Sequence, residues 1–258
     1  MRTLAIATAA LALGATGLAA VQGPATAGVP WQITVKTANT QVKLGDTFVV
    51  IGKVGPRHAA IGHKIVLQEK FKPTAPWKTQ DATKVDTTGH YTLKDRPTVN
   101  TERKYRVVMP AISGHAKGIS STLDVKVYAW TKLYSLPNLN PRQMFPTASL
   151  NLNGATYPKS IVANSVAPAS IEYNVNHKCT ALRGTFGVSD SSETGGQATI
   201  TAESDGTQIY TNTLSLGQTD FQRLPLASPL RLKFTAQSLV PGVAGLGGIG
   251  TPEALCVK

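Results

Sequence analysis

The 258-residue chain contains only two cysteines, Cys179 and Cys256. That excludes a small fold stapled by several disulfides, and no Cys-x-x-Cys spacing offers a zinc site. In an oxidising compartment the pair most simply forms one disulfide, with two free thiols or a metal pair as the alternatives. Such a bond would fasten the C-terminal segment to a strand and close a loop worth roughly 4 kcal/mol in the chain-entropy model.

Catalytic signatures are also missing. A glycosidase needs two facing carboxylates, one of them held protonated. Asp190, Glu193, Glu203 and Asp205 fall in turns or on a polar strand face, where solvated acids are the default. No Gly-x-Ser-x-Gly elbow and no His-Glu-x-x-His helix is present. The run Gly245-Leu246-Gly247-Gly248-Ile249-Gly250 formally fits a dinucleotide fingerprint. It stops eight residues before the last residue, leaving no room for the helix and second strand that the motif requires. His58 and His63 flank a Gly-containing loop and are either a metal pair or two exposed histidines. No cofactor is expected, and the chain reads as a non-enzyme.

Long apolar runs are confined to the start. Met1-Arg2-Thr3 carries one positive charge, an Ala/Leu-rich stretch follows, and Ala25-Thr26-Ala27 supplies the small residues of a cleavage site. Residues 1–27 are therefore expected to be a secretory signal peptide, with an uncleaved anchor as the alternative. A secreted protein with no membrane span after cleavage is the expectation.

Charge is abundant but of one sign. The chain holds 26 Lys/Arg against 14 Asp/Glu, a formal +12. Residues 28–129 carry 16 against 7 and residues 130–258 carry 9 against 7, so the excess sits in the first half. It suits an anionic partner such as a cell-wall polymer, an acidic glycan or a lipid surface, or else simply keeps a solvated face soluble. The cations are scattered among strands without the aromatic platforms of a nucleic-acid footprint, so nucleic acid is not the expected partner.

Helical periodicity is absent beyond the leader. Short β-branched runs recur instead, separated by Gly, Pro, Asp and Asn. In the first half they predict strands over 32–37, 47–54, 63–69, 82–86, 90–93, 104–109 and 121–128, with a tight turn at Thr87-Thr88-Gly89. Seven strands over residues 28–129 suit an immunoglobulin-like β-sandwich. Trp77 is either its large core residue or part of a loop that follows Pro73 and Pro76. Residues 130–147, with Pro137, Pro141 and Pro146, read as a Pro-rich linker: an extended connector, or an edge segment docked on a neighbouring sheet. In residues 148–258, strands are predicted over 185–189, 197–204, 208–214, 221–226 and 230–236, with Asp205-Gly206 as a hairpin turn. A jelly-roll sandwich is the expected form. The fold class is thus all-β, two sandwiches in series.

The first half resembles the immunoglobulin-like or transthyretin-like repeats of secreted bacterial proteins. The likeness rests on Gly62-His63-Lys64-Ile65-Val66-Leu67-Gln68, Trp77, Thr87-Thr88-Gly89-His90-Tyr91 and Tyr105-Arg106-Val107. It implies a spacer, stalk or adhesive module. The second half resembles NPCBM, a family of carbohydrate-binding modules with a galactose-binding-like jelly roll. The residues concerned are Leu152-Asn153-Gly154, Tyr157, Lys159-Ser160-Ile161, Gly184-Thr185-Phe186-Gly187-Val188-Ser189-Asp190, Gly195-Gly196, the turn Asp205-Gly206 with Ile209-Tyr210, and Pro229-Leu230-Arg231-Leu232. The family's closing Asp-His-Ala-x-Trp-x-x-Pro stretch is replaced by residues 245–252, so contacts made there by relatives do not carry over.

A sugar site needs an exposed aromatic ring and forked hydrogen-bonding groups. Tyr157, Asn164, Tyr173, Asn176 and Arg183 are the candidates, each with a structural role as its alternative. Asp190 and Glu193 are the candidate calcium ligands, against a plain acidic turn. The expected partner is a polysaccharide or an anionic cell-wall polymer. A structural, adhesive or inhibitory protein with a protein partner is the rival.

Overall fold

The computed structural model describes residues 28–112 and 114–258; the expected leader at 1–27 lies outside them. The first half contains β1 (Val29–Pro30), β2 (Gln32–Ile33), β3 (Gln41–Lys43), β4 (Phe48–Gly55), a four-residue helix α1 (Arg57–Ala60), β5 (Lys64–Lys70), β6 (Lys78–Lys84), β7 (His90–Asp95), β8 (Glu102–Met109), β9 (His115–Ala116), β10 (Gly118–Ile119) and β11 (Leu123–Lys132). One sheet runs β2-β4-β7, and the facing one runs β6-β5-β8-β11-β3. Alternation decides the faces: Ile65, Leu67, Tyr105, Val107, Val125 and Val127 point into the core, and their sequence neighbours point out.

Trp77 lies outside this core. The core tryptophan is Trp31, 3% exposed, whose Nε1 donates to the Pro110 carbonyl at 3.0 Å. The expected turn at Thr87-Thr88-Gly89 is present. Gly89 takes φ +81°, and the Asp86 carboxylate accepts from the backbone N–H groups of Thr88 and His90.

After a short 3-10 turn (Leu133–Ser135), the second half contains β12 (Asn138–Arg142), β13 (Met144–Leu152), β14 (Ala155–Ala163), β15 (Ala169–Asn174), β16 (Cys179–Val188), β17 (Gln197–Ser204), β18 (Thr207–Ser215), β19 (Thr219–Pro225), β20 (Arg231–Ser238) and β21 (Gly247–Cys256). Five strands in the order β12-β15-β20-β17-β18 face a second layer ordered β13-β14-β21-β16-β19. Phe186, Phe234, Tyr173, Ile171, Leu182 and Ile249 fill the space between them. Asp205 and Gly206 both take positive φ, as a type I′ hairpin turn requires. The molecule is all-β, a pair of sandwiches.

Residues 130–147 take the second form expected of the Pro-rich stretch, strand docked at the sheet edges, and not that of an extended connector. β11 runs unbroken through the expected boundary: Leu123–Lys126 pair with β8, and Ala129–Lys132 pair with Cys256–Glu253 of β21. β12 and β13 then form the outer strands of the two second-half layers. Pro141 and Pro146 sit on these edges, where a missing backbone N–H costs no ladder bond. Cys179 and Cys256 form a disulfide across directly opposed positions of β16 and β21, with Cα atoms 4.0 Å apart. The bond therefore lies beside the point where β11 joins the second sandwich.

The glycine run ending at Gly250 is a strand, not a nucleotide loop. A Cβ on Gly247 would stand 2.9 Å from the Ala236 Cβ, and one on Gly248 2.8 Å from the Leu150 side chain. Glycine is needed there for close packing.

Candidate functional site

β16 sends Leu182, Phe186 and Val188 into the core, so Arg183 and Thr185 project outward. β19 places Phe221 and Arg223 on the same outer face, and Phe221 is 65% exposed. The register sets Arg183 between Arg223 on one side and Glu253 on the other. Trp130, next along from Glu253 in the β11–β21 ladder, completes the group.

Geometry locks this group together. Arg183 donates from Nε at 2.8 Å and from Nη2 at 2.6 Å to Glu253 Oε2. Its guanidinium lies 4.1 Å from the Trp130 ring centre, and that of Arg223 lies 5.5 Å away. Glu253 neutralises Arg183, while Arg223 makes no ion pair among the described residues. In the adjoining row, the Tyr157 ring occupies the space a Gly250 Cβ would need, with its Cγ 2.5 Å from that position. Thr185, opposite both Gly250 and Phe221, completes the row. The face thus offers aromatic surfaces beside fixed guanidinium donors, the combination that stacks on a sugar's C–H face and hydrogen-bonds its hydroxyls.

Two of the five expected sugar contacts, Tyr157 and Arg183, meet on this face. Tyr173 does not: it is fully buried, with its ring against Phe234 at 6.3 Å, so it is a core residue and not a ligand contact. Period-two alternation along β15 puts it inward with Ile171. Asn176 takes φ +52° in the β15–β16 turn, where its N–H donates to Asn174 Oδ1 at 3.1 Å. Asn164 follows β14 and donates its N–H to the Gln143 carbonyl at 2.9 Å. Among the described residues, neither hydrogen-bonds to the group around Trp130.

The calcium candidates are engaged with backbone. Asp190 accepts from the N–H groups of Asn153 and Gly154 at 2.7 and 2.8 Å, clasping the β13–β14 turn. Glu193 accepts from the Ala244 N–H at 2.9 Å. No cluster of three His, Cys, Asp or Glu suited to a metal occurs among the described residues. Trp130, Phe221, Arg223 and Glu253 were not anticipated. Trp130 was hidden by the Pro-rich reading of its surroundings, although period-two counting onward from Val125 and Val127 would have placed it outward.

The model of the NPCBM/NEW2 domain matches residues 130–229. Trp130, Tyr157, Arg183, Phe221 and Arg223 fall inside the match, and Glu253 lies beyond it. Over 68 residues, 26% of this chain, the sequence is 37% identical to the "Putative endo-alpha-N-acetylgalactosaminidase" of Renibacterium salmoninarum. The chain spans 4% of the length of that relative. Among solved structures, CBM51 from Clostridium perfringens GH95 in complex with methyl-galactose aligns with a TM-score of 0.41 and 15% identity, over 49% of this chain and 99% of that one. The CBM51-2 and INT domains of Clostridium perfringens ZmpB, in complex with GlcNAc, align with a TM-score of 0.43 and 8% identity. That alignment covers 88% of this chain and 48% of the other.

Proposed function

We propose that the protein is a non-catalytic glycan-binding protein of the extracellular space, with its sugar platform on the outer face around Trp130. The observation that carries this reading is the Trp130 ring flanked by Arg183 and Arg223 beside the exposed Phe221, inside the segment that matches NPCBM. The disulfide between Cys179 and Cys256 supports an oxidising compartment. The first half acts as a basic spacer, and its layout of β2-β4-β7 against β6-β5-β8-β11-β3 supports an immunoglobulin-like module.

The test is a glycan array probed with residues 28–258 and with Trp130→Ala and Phe221→Ala. A sugar retained by the parent should be lost about tenfold or more in Trp130→Ala, because a stacking anchor dominates a small site. Phe221 is largely exposed, so Phe221→Ala removes a ring without disturbing the core. Retention of the same sugar by both variants would refute the platform. Absence of any retained sugar would favour a protein partner docking on the exposed Phe221.

A further inference from the structure

We infer that the binding face continues onto the first sandwich and that the groove there takes an acidic polysaccharide, so that one extended polyanionic chain lies across both halves. The inference rests on the sugar platform proposed at Trp130. Its structural basis is β11. Val125 and Val127 point into the first core, so Asp124, Lys126, Tyr128 and Trp130 share the opposite side of one strand. From Asp124 to Trp130 that side is about 20 Å long. Tyr128 and Trp130 pack with Ala181, Leu255 and Val257 into an apolar band that bridges the two sandwiches.

At the Asp124 end this side opens into a groove of about 550 Å³. Lys70, Lys72, Lys104, Lys126 and Tyr128 line it, and Ser228 reaches in from the second half. Lys104 pairs with Asp124, and Lys126 lies 3.4 Å from Glu102. Lys70 and Lys72 make no ion pair among the described residues, so the groove is net positive.

A second aromatic station lies on the same outer face. Cross-strand pairing sets Gln68 against Arg106 and Lys70 against Lys104. The Arg106 guanidinium sits 4.1 Å from the Trp77 ring centre and Lys70 Nζ sits 5.0 Å away. Arg106 Nε also donates to Gln68 Oε1 at 3.0 Å. Trp77 with Arg106 repeats the chemistry of Trp130 with Arg183. Two aromatic–guanidinium stations with a lysine-lined groove between them match a ligand that repeats sugar faces and carboxylates along its length. Each ring is flanked by two cations, which suits a charged sugar held at separate rings more than a run of stacked bases.

The experiment measures binding of residues 28–258 to polygalacturonate and to its methyl ester, which has the same sugar backbone without the charge. Lys70→Gln/Lys72→Gln/Lys126→Gln should weaken polygalacturonate binding about tenfold at low ionic strength and flatten its salt dependence. Binding to the methyl ester should stay within about twofold. Lys36→Gln/Lys53→Gln/Lys94→Gln removes the same charge from the opposite sheet and should leave both ligands within about twofold. Equal losses in the two triple variants would overturn the groove, as would no loss in the first. Failure of the parent to bind polygalacturonate, or tighter binding to a single-stranded oligodeoxynucleotide, would also overturn it. Trp130→Ala should lose both ligands. If Trp130→Ala keeps both while the first triple variant loses polygalacturonate, the sugar platform fails and the groove stands.

Discussion

Removing Arg103 should expose how the floor of the groove is built. Glu69 and Arg103 sit in the interior of the first sandwich, on the opposite sides of β5 and β8 from Lys70 and Lys104. The Arg103 side chain is 2% exposed and its Nη1 donates to Glu69 Oε2 at 2.9 Å. Asp95 Oδ2 lies 4.0 Å from the same nitrogen, and the guanidinium stacks 4.7 Å from the Phe71 ring centre. Arg103→Met keeps the apolar stem but leaves two neighbouring carboxylates without their cation. Breaking a buried pair in this way costs about 3–5 kcal/mol near pH 7. For a cooperative unit of this size that corresponds to a fall in Tm of about 6–20 °C.

The loss should depend on pH, and its sign follows from Glu69. Burial raises the Glu69 carboxyl above its ordinary value, against the opposing pull of Arg103. Without Arg103 the folded-state value rises further, so the folded chain holds a proton that the unfolded chain has released. Stability is then retained below the unfolded value of about 4.5 and is lost as pH climbs toward the folded one, by up to about 1.4 kcal/mol per unit. Urea unfolding of Arg103→Met at pH 5 and pH 8 should show the larger deficit at pH 8. Glu69→Gln/Arg103→Met should recover part of the loss, since it removes the stranded Glu69 charge and leaves Asp95, which still accepts from the Tyr105 hydroxyl. A deficit under about 1 kcal/mol at pH 7, or one equal at both pH values, would refute this account.

Two other perturbations probe the second sandwich. Cys179→Ser/Cys256→Ser should lower stability by about 4 kcal/mol through release of the closed loop. Scanning calorimetry of the parent with reductant should move Tm toward that of the double variant, and a Tm indifferent to reductant would contradict it. Gly250→Ala places a methyl 2.5 Å from the Tyr157 Cγ and must displace that ring. It should cost about 1–3 kcal/mol and weaken any sugar that Trp130→Ala also weakens. Unchanged stability would mean that the ring does not rest on the strand.

Strands were legible in the sequence where one face is buried and the other wet. β17 alternates Ala198, Ile200 and Ala202 inward with Thr199 and Thr201 outward, and its bounds match the expected 197–204. Asp205-Gly206 and Thr87-Thr88-Gly89 were legible because their turns demand positive φ, which few residues accept. Legibility failed where composition overrides periodicity. β21 is glycine-rich because neighbours press on it from both faces, so it carries little side-chain pattern to read. β12 and β13 carry proline because they are edges, and proline reads locally as a break. The candidate face was half legible for the same reason. Arg183 and Tyr157 lie on segments with recognisable neighbours, whereas Trp130 follows an uninterrupted alternation just before the first of the prolines. Strand β11 belongs to both sandwiches at once, and only the pairing of Ala129–Lys132 with β21 shows it. That shared strand makes the relation between the halves a matter of backbone hydrogen bonds, not linker length. It carries Lys126 and Trp130 on one side four residues apart, about 13 Å along the strand. A ligand that spans this distance engages both sandwiches without any domain rearrangement, so its binding should follow the summed contacts of the groove and the Trp130 station and not an effective concentration set by a tether.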